Sequence, residues 1–527
     1  MNAGSLFNEI FAADRSGRVA VLFEQREITY GELRELTIGT AEALNALEIA
    51  NGDRVAILLA DSPEFVASFV SIISLGAVAV PINPALRRED QLFILKDCGA
   101  RAAMVEPATA RPLFGVDAFP EELNALKRLV VISRSDEGSV QIEGVETQTL
   151  DNAERRNLTQ DFPASANDGA DAFILYTSGS TGEPKGAVHR QSDIFYTNET
   201  YCREILNLSE GDRLFSSSRL PFAYGLGNAL TFPLLNGLTT ILCREKPSAE
   251  VLARIFHENR PTIFFGVPVV FRMLLEHHRQ VKRLDTSSLR LCVSAGEALP
   301  AQLGEDWQKT FGVPILDGIG STEMLHMFMS NHEDSLRYGS SGALLGGYEA
   351  RLLDHEGNQV AQSEVGNLWI RGRSAASRYW QRPETSAETF VDDWVRTGDL
   401  YRQDADGFWW HMGRSDDCFK PTGQWVSPVE VEGVLLKHEG IRAAAVVEGQ
   451  DKDGLSCVCA FVVRANEDES IESVENTLRV LCENALPRFK QPRRYIIVSE
   501  LPYTATGKVQ RFKLREQLRA GGAVARP

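Results

Sequence analysis

Cysteine is sparse, at eight among 527 residues, and no CxxC pair has a matching second pair. That excludes the usual zinc and disulfide frameworks. Cys457 and Cys459, inside the apolar run CVCAFVV, read instead as two residues on one face of a strand. Positive charge is in deficit: 55 Lys and Arg stand against 72 Asp and Glu, for a net charge of −17. A duplex nucleic-acid binder needs a basic face, so that class is excluded. Unbroken apolar length is missing too. Residues 65–86 are cut by Gly76 and Pro81, and residues 220–243 contain Pro221, Gly225, Gly227, Pro233 and Gly237. A membrane-spanning helix wants roughly 20 apolar residues in a row, so both stretches read as buried α/β core and no membrane insertion is expected. The opening MNAGSLFNEIFAADRSG lacks the basic start and long apolar run of a secretory signal, which points to the cytoplasm.

What is present is an ordinary globular balance, 43% hydrophobic and 24% charged, in a chain long enough for more than one domain. Short β-rich runs alternate with helical segments through the first 400 or so residues. Thr29-Tyr30-Gly31-Glu32 has the capping-box pattern of a helix start. RVAILLA (54–60) reads as a strand, and Ser62-Pro63-Glu64 opens the helix after it. AVAVPI is again a strand, REDQLFILKDCG a helix ending at Gly99, and β–α pairs recur at 261–296 and 309–317. Such repetition predicts an α/β fold of mostly parallel sheets covered by helices. The segment GDLYRQDADGFWWHMGR reads as turn-rich and marks a boundary near 413–417. Beyond it, AAAVVE, CVCAFVV and YIIV as strands and 471–486 as a helix predict a small α+β C-terminal domain.

The strongest local signal is Tyr176-Thr-Ser-Gly-Ser-Thr-Gly-Glu-Pro-Lys-Gly186, directly after the strand-like AFIL. Gly179 and Gly182 let main-chain N–H groups approach phosphate oxygens; Thr177, Ser178, Ser180 and Thr181 add hydroxyls, and Lys185 adds charge. It is not the GxxxxGK[ST] loop, because Lys185 follows a proline and precedes a glycine. The run resembles the phosphate loop of the adenylate-forming superfamily, which holds acyl- and aryl-CoA ligases, luciferases and peptide-synthetase adenylation domains. Further motifs in the expected order extend the resemblance over nearly the whole chain.

The resemblance implies a large N-terminal domain with an additional β-subdomain (1–415) and a small mobile C-terminal domain (416–527). It implies ATP, Mg²⁺ and coenzyme A as cofactor and co-substrates. In Asp317-Gly-Ile-Gly-Ser-Thr-Glu323 it places Thr322 and Glu323 at the phosphates, with Glu323 on the metal. Asp317, Gly318, Ile319 and Ser321 lie along the nucleotide, where Ile319 replaces an aromatic often stacked on adenine. Gly296, Glu297 and Ala298 form the loop on its other side. Asp399 would accept from the ribose hydroxyls, and Arg414 would bind ribose or phosphate. Asp416 matches the hinge, Lys420 and Gly423 the loop serving the CoA half-reaction, and Lys508 the adenylation lysine.

Within the superfamily, FAYGLGNALTFP, SAGEALP, DGIGSTEMLH and TATGKVQRFKLRE are most similar to benzoate–CoA ligases. The implied partner is a small aromatic carboxylate lined by Ala223, Tyr224, Phe232, Gly320, Met327 and His332. Met327 departs from a branched aliphatic expected there, which bears on ring substitution. An oligomer is compatible with this reading. Other readings share the motifs: a ligase for another small acid, or a standalone enzyme loading an aryl acid onto a carrier protein. An amino-acid adenylating domain would need an Asp where Ala223 stands. A nucleotide sensor, the non-enzymatic alternative, has no use for Lys508 beside Glu323 and Asp399.

Overall fold

The computed structural model describes residues 5–115, 119–120, 123–133, 140, 142, 145–151, 169–177, 183–281, 284–421, 424–451, 453–465, 470–503 and 509–520. The local signals act as their chemistry dictates. Thr29 and Glu32 close a reciprocal capping box at the start of the helix Tyr30–Ala46. Ser62 caps the helix Pro63–Ser74 with proline in its first turn, and Gly99, at φ 60°, ends the helix Arg88–Cys98.

Two large sheets result. In the eight-stranded one, the strands Val78–Pro81, Arg54–Leu58, Ala102–Val105, Arg128–Ser133 and Glu146–Asp151 run parallel in that order. Its other end is the antiparallel pair Asp171–Thr177 and Lys185–Arg190 with the short Arg378–Tyr379 outside it. The nine-stranded sheet includes the parallel neighbours Arg213–Ser216, Ile263–Gly266, Leu291–Ser294 and Ile315–Gly320, continued by the antiparallel Met327–Ser330. The helix Pro63–Ser74 is buried on every side. One core joins it to Val21 and Phe23 of the second sheet and to Val55, Ile57 and Phe173 of the first. Its serines cope by donating to carbonyls one turn back, Ser68 to Glu64, Ser71 to Ala67 and Ser74 to Val70.

Both apolar stretches flagged in the sequence are core elements, and no helix among the described residues is long and apolar enough to cross a membrane. The segment read as turn-rich is mainly strand. Trp394–Gln403 and Trp409–Arg414 pair as a hairpin within an antiparallel sheet, and only the residues between them turn. There Asp404 accepts from the Asp406 and Phe408 N–H groups, while the aromatic flanks favour a pleated surface.

The C-terminal strands Ile441–Gln450, Ser456–Arg464 and Arg494–Ile497 form their own sheet, packed by the helices Pro428–Leu435 and Ile471–Ala485. Cys457 and Cys459 do share a face, their sulfurs 3.8 Å apart.

Candidate active site

The nucleotide motifs gather at the carboxyl ends of parallel strands, where open α/β sheets bind ligands. Leu291–Ser294 runs into Gly296, Glu297 and Ala298, with Gly296 in the left-handed region at φ 89°. Beside it Ile315–Gly320 carries Asp317, Gly318, Ile319 and Gly320. Gly318 and Gly320 are required by close passage of the next strand. A Cβ on Gly318 would lie 2.5 Å from the Met329 oxygen, and one on Gly320 2.4 Å from the His326 oxygen. Asp317 is buried and accepts from the Leu299 N–H at 3.3 Å. Burial pushes its carboxyl up to about 8.

Ser321, Thr322 and Glu323 form the turn after this strand. Ser321 Oγ accepts from the Met324 N–H, and Leu325 holds a left-handed φ of 64°. Two distant segments hold this turn. Nε2 of the buried His189 donates to the Thr322 main-chain oxygen at 2.7 Å, and its Nδ1 lies 3.1 Å from Asp193. The Tyr379 hydroxyl donates to Oε1 of Glu323 at 2.6 Å. Sequence reading assigned neither His189 nor Tyr379 a role; the hydrogen bonds between remote segments carry no local sequence signal.

On the phosphate hairpin, Thr177 stands opposite Lys185 in register. The Lys185 ammonium lies over the Tyr379 ring, 5.6 Å from its centroid. Ser178, Gly179, Ser180, Thr181 and Gly182 lie outside the described residues.

On the β-subdomain, Asp399 pairs in register with Arg414, whose Nη1 is 3.4 Å from Asp399 Oδ1. His411 lies 3.6 Å from the same oxygen. Asp416, two residues on, adds its charge to the field at Arg414. Asp417 and Glu432 clamp Arg511, at 3.6 and 2.8 Å. The Glu297 charge contributes to the electrostatic field at both Tyr503 and Arg511. Lys508 and Gly423 lie outside the described residues. Lys420 is exposed, its ammonium 4.3 Å from the Trp425 ring centroid.

Ala223 and Tyr224 begin a helical stretch that passes through a π-turn, Gly227–Thr231, to reach Phe232. Tyr224 donates to the Val293 oxygen at 3.2 Å. Its ring stacks on His326 at 5.7 Å, and Phe232 meets the same imidazole edge-on at 4.6 Å. Met327 is buried opposite Gly320 in the strand register. His332 is not in this group. It is exposed and bridged to Ser335, because the chain leaves the sheet after Asn331. The histidine at the aromatic cluster is His326. Burial drives its pKa down to about 3, so the ring is neutral, and neither nitrogen makes a hydrogen bond of normal geometry. The sequence carried a usable signal, since His326 closes DGIGSTEMLH, but a search for metal-ligand spacing passes over it.

Comparison with known proteins agrees with this arrangement. Residues 9–380 match the family model "AMP-binding enzyme", and residues 430–508 match "AMP-binding enzyme C-terminal domain". The chain belongs to the AMP-binding enzyme family. It is 39% identical over 524 residues to benzoate–CoA ligase of Thauera aromatica, covering 97% of this chain and 95% of that one. It is 35% identical to the 4-hydroxybenzoate–CoA/benzoate–CoA ligase of Rhodopseudomonas palustris, over 97% and 93% of the two chains. Among solved structures, the anthranilate CoA ligase AuaEII in complex with anthranoyl-AMP superposes with a TM-score of 0.90 at 35% identity, covering 99% of each chain. A benzoate CoA ligase from Burkholderia xenovorans LB400 gives 0.84 at 35% identity, covering 97% of this chain and 100% of that one.

Proposed function

We propose that this chain is an AMP-forming aryl acid–CoA ligase. It joins ATP and benzoate or a small substituted benzoate into an acyl adenylate with release of pyrophosphate, then passes the acyl group to coenzyme A. The observation that carries the reading is local: an aromatic cluster of Tyr224, Phe232 and His326 adjoins Gly320, and Thr322 and Glu323 lie two and three residues after Gly320. The acid and the phosphates therefore belong at opposite ends of one short turn.

A free carboxylate is a poor electrophile with no good leaving group, and its attack on the α-phosphorus of ATP remedies both faults. The protein's part is alignment and charge stabilisation. We assign Thr177, Ser178, Gly179, Ser180, Thr181, Gly182 and Lys185 to the phosphates, with Lys508 at the bridging oxygen. Asp317, Gly318, Ile319, Ser321 and the loop Gly296, Glu297 and Ala298 flank the base, and Asp399 and Arg414 hold the ribose. Ala223, Tyr224, Phe232, Gly320, Met327 and His332 line the ring, and His326 packs against Tyr224 and Phe232. Thr322 and Glu323 are oxygen donors suited to Mg²⁺. Among the described residues no group of three His, Cys, Asp or Glu is placed to hold a metal ion, and we assign most ligands of the ion to phosphate oxygens and water. When bound, the ion supplies charge neutralisation on the phosphates.

The reading includes a two-step cycle with a moving C-terminal domain. We place the domain boundary at 415/416 and the pivot at Asp416, with Lys420 and Gly423 brought in for the thiol step. All eight cysteines are free, which suits a reducing cytoplasmic setting. The test is a panel of benzoate, hydroxybenzoates, aminobenzoates, cyclohexanecarboxylate and short aliphatic acids with ATP and CoA, read by thioester mass. A clear win for short aliphatic acids refutes the aryl assignment, and absence of AMP with every acid refutes the whole reading.

A further inference from the structure

Tyr379 lies 56 positions from Glu323, on the short strand that pairs with the phosphate hairpin at Ala187. It is 6% exposed. Main-chain ties fix its place: Trp380 N–H donates to Gly186, Ser377 N–H to Val188, and Tyr379 N–H to Ser386 Oγ. The same segment reaches Glu323 twice. Ala376 N–H donates to the Glu323 main-chain oxygen at 2.7 Å, and the Tyr379 hydroxyl donates to its Oε1 at 2.6 Å. Thus one carboxylate oxygen is committed, and Oε2 has no such bond among the described residues. The ring's other duty is to Lys185, whose ammonium rests on it.

We propose that Tyr379 is a positioning residue for adenylate formation: it orients the Glu323 carboxylate so that Oε2 alone meets the divalent cation, and it seats Lys185 beside the same phosphates. The inference rests on the assignment of Glu323 to the metal. The terminal torsion of a glutamate is soft, so an unrestrained carboxylate would sample a wide arc. A cation that takes only one or two protein oxygens depends strongly on their direction.

Tyr379→Phe keeps the ring, its packing and the seat for Lys185, and removes only the hydroxyl. Mn²⁺ binding to the protein–ATP complex is measured by the paramagnetic signal of the free ion, beside the Mg²⁺ dependence of pyrophosphate release, the KM for benzoate, and the melting temperature. Loss of a partner that orients a ligand typically costs about 10–100-fold in metal affinity. The expected result is Mn²⁺ affinity and Mg²⁺ midpoint both weakened about tenfold, with the KM for benzoate and the melting temperature unchanged. Unaltered metal affinity would overturn the proposal, and so would equal losses in metal affinity and benzoate KM with a lowered melting temperature. Glu323→Gln separates the two levels. Should it leave Mn²⁺ affinity intact, the assignment of the metal to Glu323 fails. Should it weaken Mn²⁺ while Tyr379→Phe does not, only the role of Tyr379 fails.

Discussion

Nε2 of His189 donates to the main-chain oxygen of Thr322 at 2.7 Å, tying the strand after the phosphate loop to the turn that bears Glu323. The two strands concerned, Lys185–Arg190 and Ile315–Gly320, belong to different sheets. This bond is therefore one of the points where the sheets are held in register across the site. His189→Leu removes the donor and leaves the buried Asp193 with fewer partners. We expect a stability loss of about 1–3 kcal/mol, with acid-dependent pyrophosphate release reduced more than ATP binding. Thermal melting and single-turnover adenylation check it.

Gly320→Ala tests the close passage of strands. Its Cβ would meet the His326 oxygen at 2.4 Å, a main-chain atom that cannot swing away. Overpacking of this kind costs about 1–3 kcal/mol. The benzoate KM should rise sharply while the KM for ATP changes less, as initial-rate kinetics in both substrates would show.

Lys508→Ala separates the half-reactions. Adenylate formation should fall by about 10²–10³, as for loss of one well-aimed donor. Thioester formation from supplied benzoyl-AMP should persist, because the proposed cycle assigns that step to Lys420 and Gly423 instead. Rapid-quench assays of each half decide it; equal damage to both counts against the two-step geometry.

The two perturbed buried groups act oppositely on stability as pH changes. His326 titrates at about 3 when folded against 6.5 ordinarily, so the unfolded chain binds more protons between those values. Stability from this group is present above pH 6.5 and is lost as pH falls toward 3. Asp317 titrates at about 8 against 3.8, so the folded chain binds more protons there. Its contribution is present below pH 3.8 and is lost as pH rises toward 8. His326→Phe should therefore flatten the acid limb of the stability profile, and Asp317→Asn the limb between pH 4 and 8. Melting curves across pH 4–9 would reveal both.

The sequence by itself determined the chemistry and much of the framework. The order of motifs named the reaction class, and local physics located the elements: Thr29 with Glu32 closes a cap, Ser62-Pro63 starts a helix and Gly99 ends one wherever they occur. The hairpin over 394–414 was misread because Asp404 and Gly407 weigh heavily in composition yet occupy only its tip.

Only the tertiary structure decided which remote side chains meet. It set His326 against Tyr224 and Phe232, and it put Tyr379 on Glu323 and His189 on Thr322. The physical reason is range. Capping and turn preferences are settled within a few residues, whereas these meetings depend on how two sheets and their crossing strands pack. No local pattern encodes that distance.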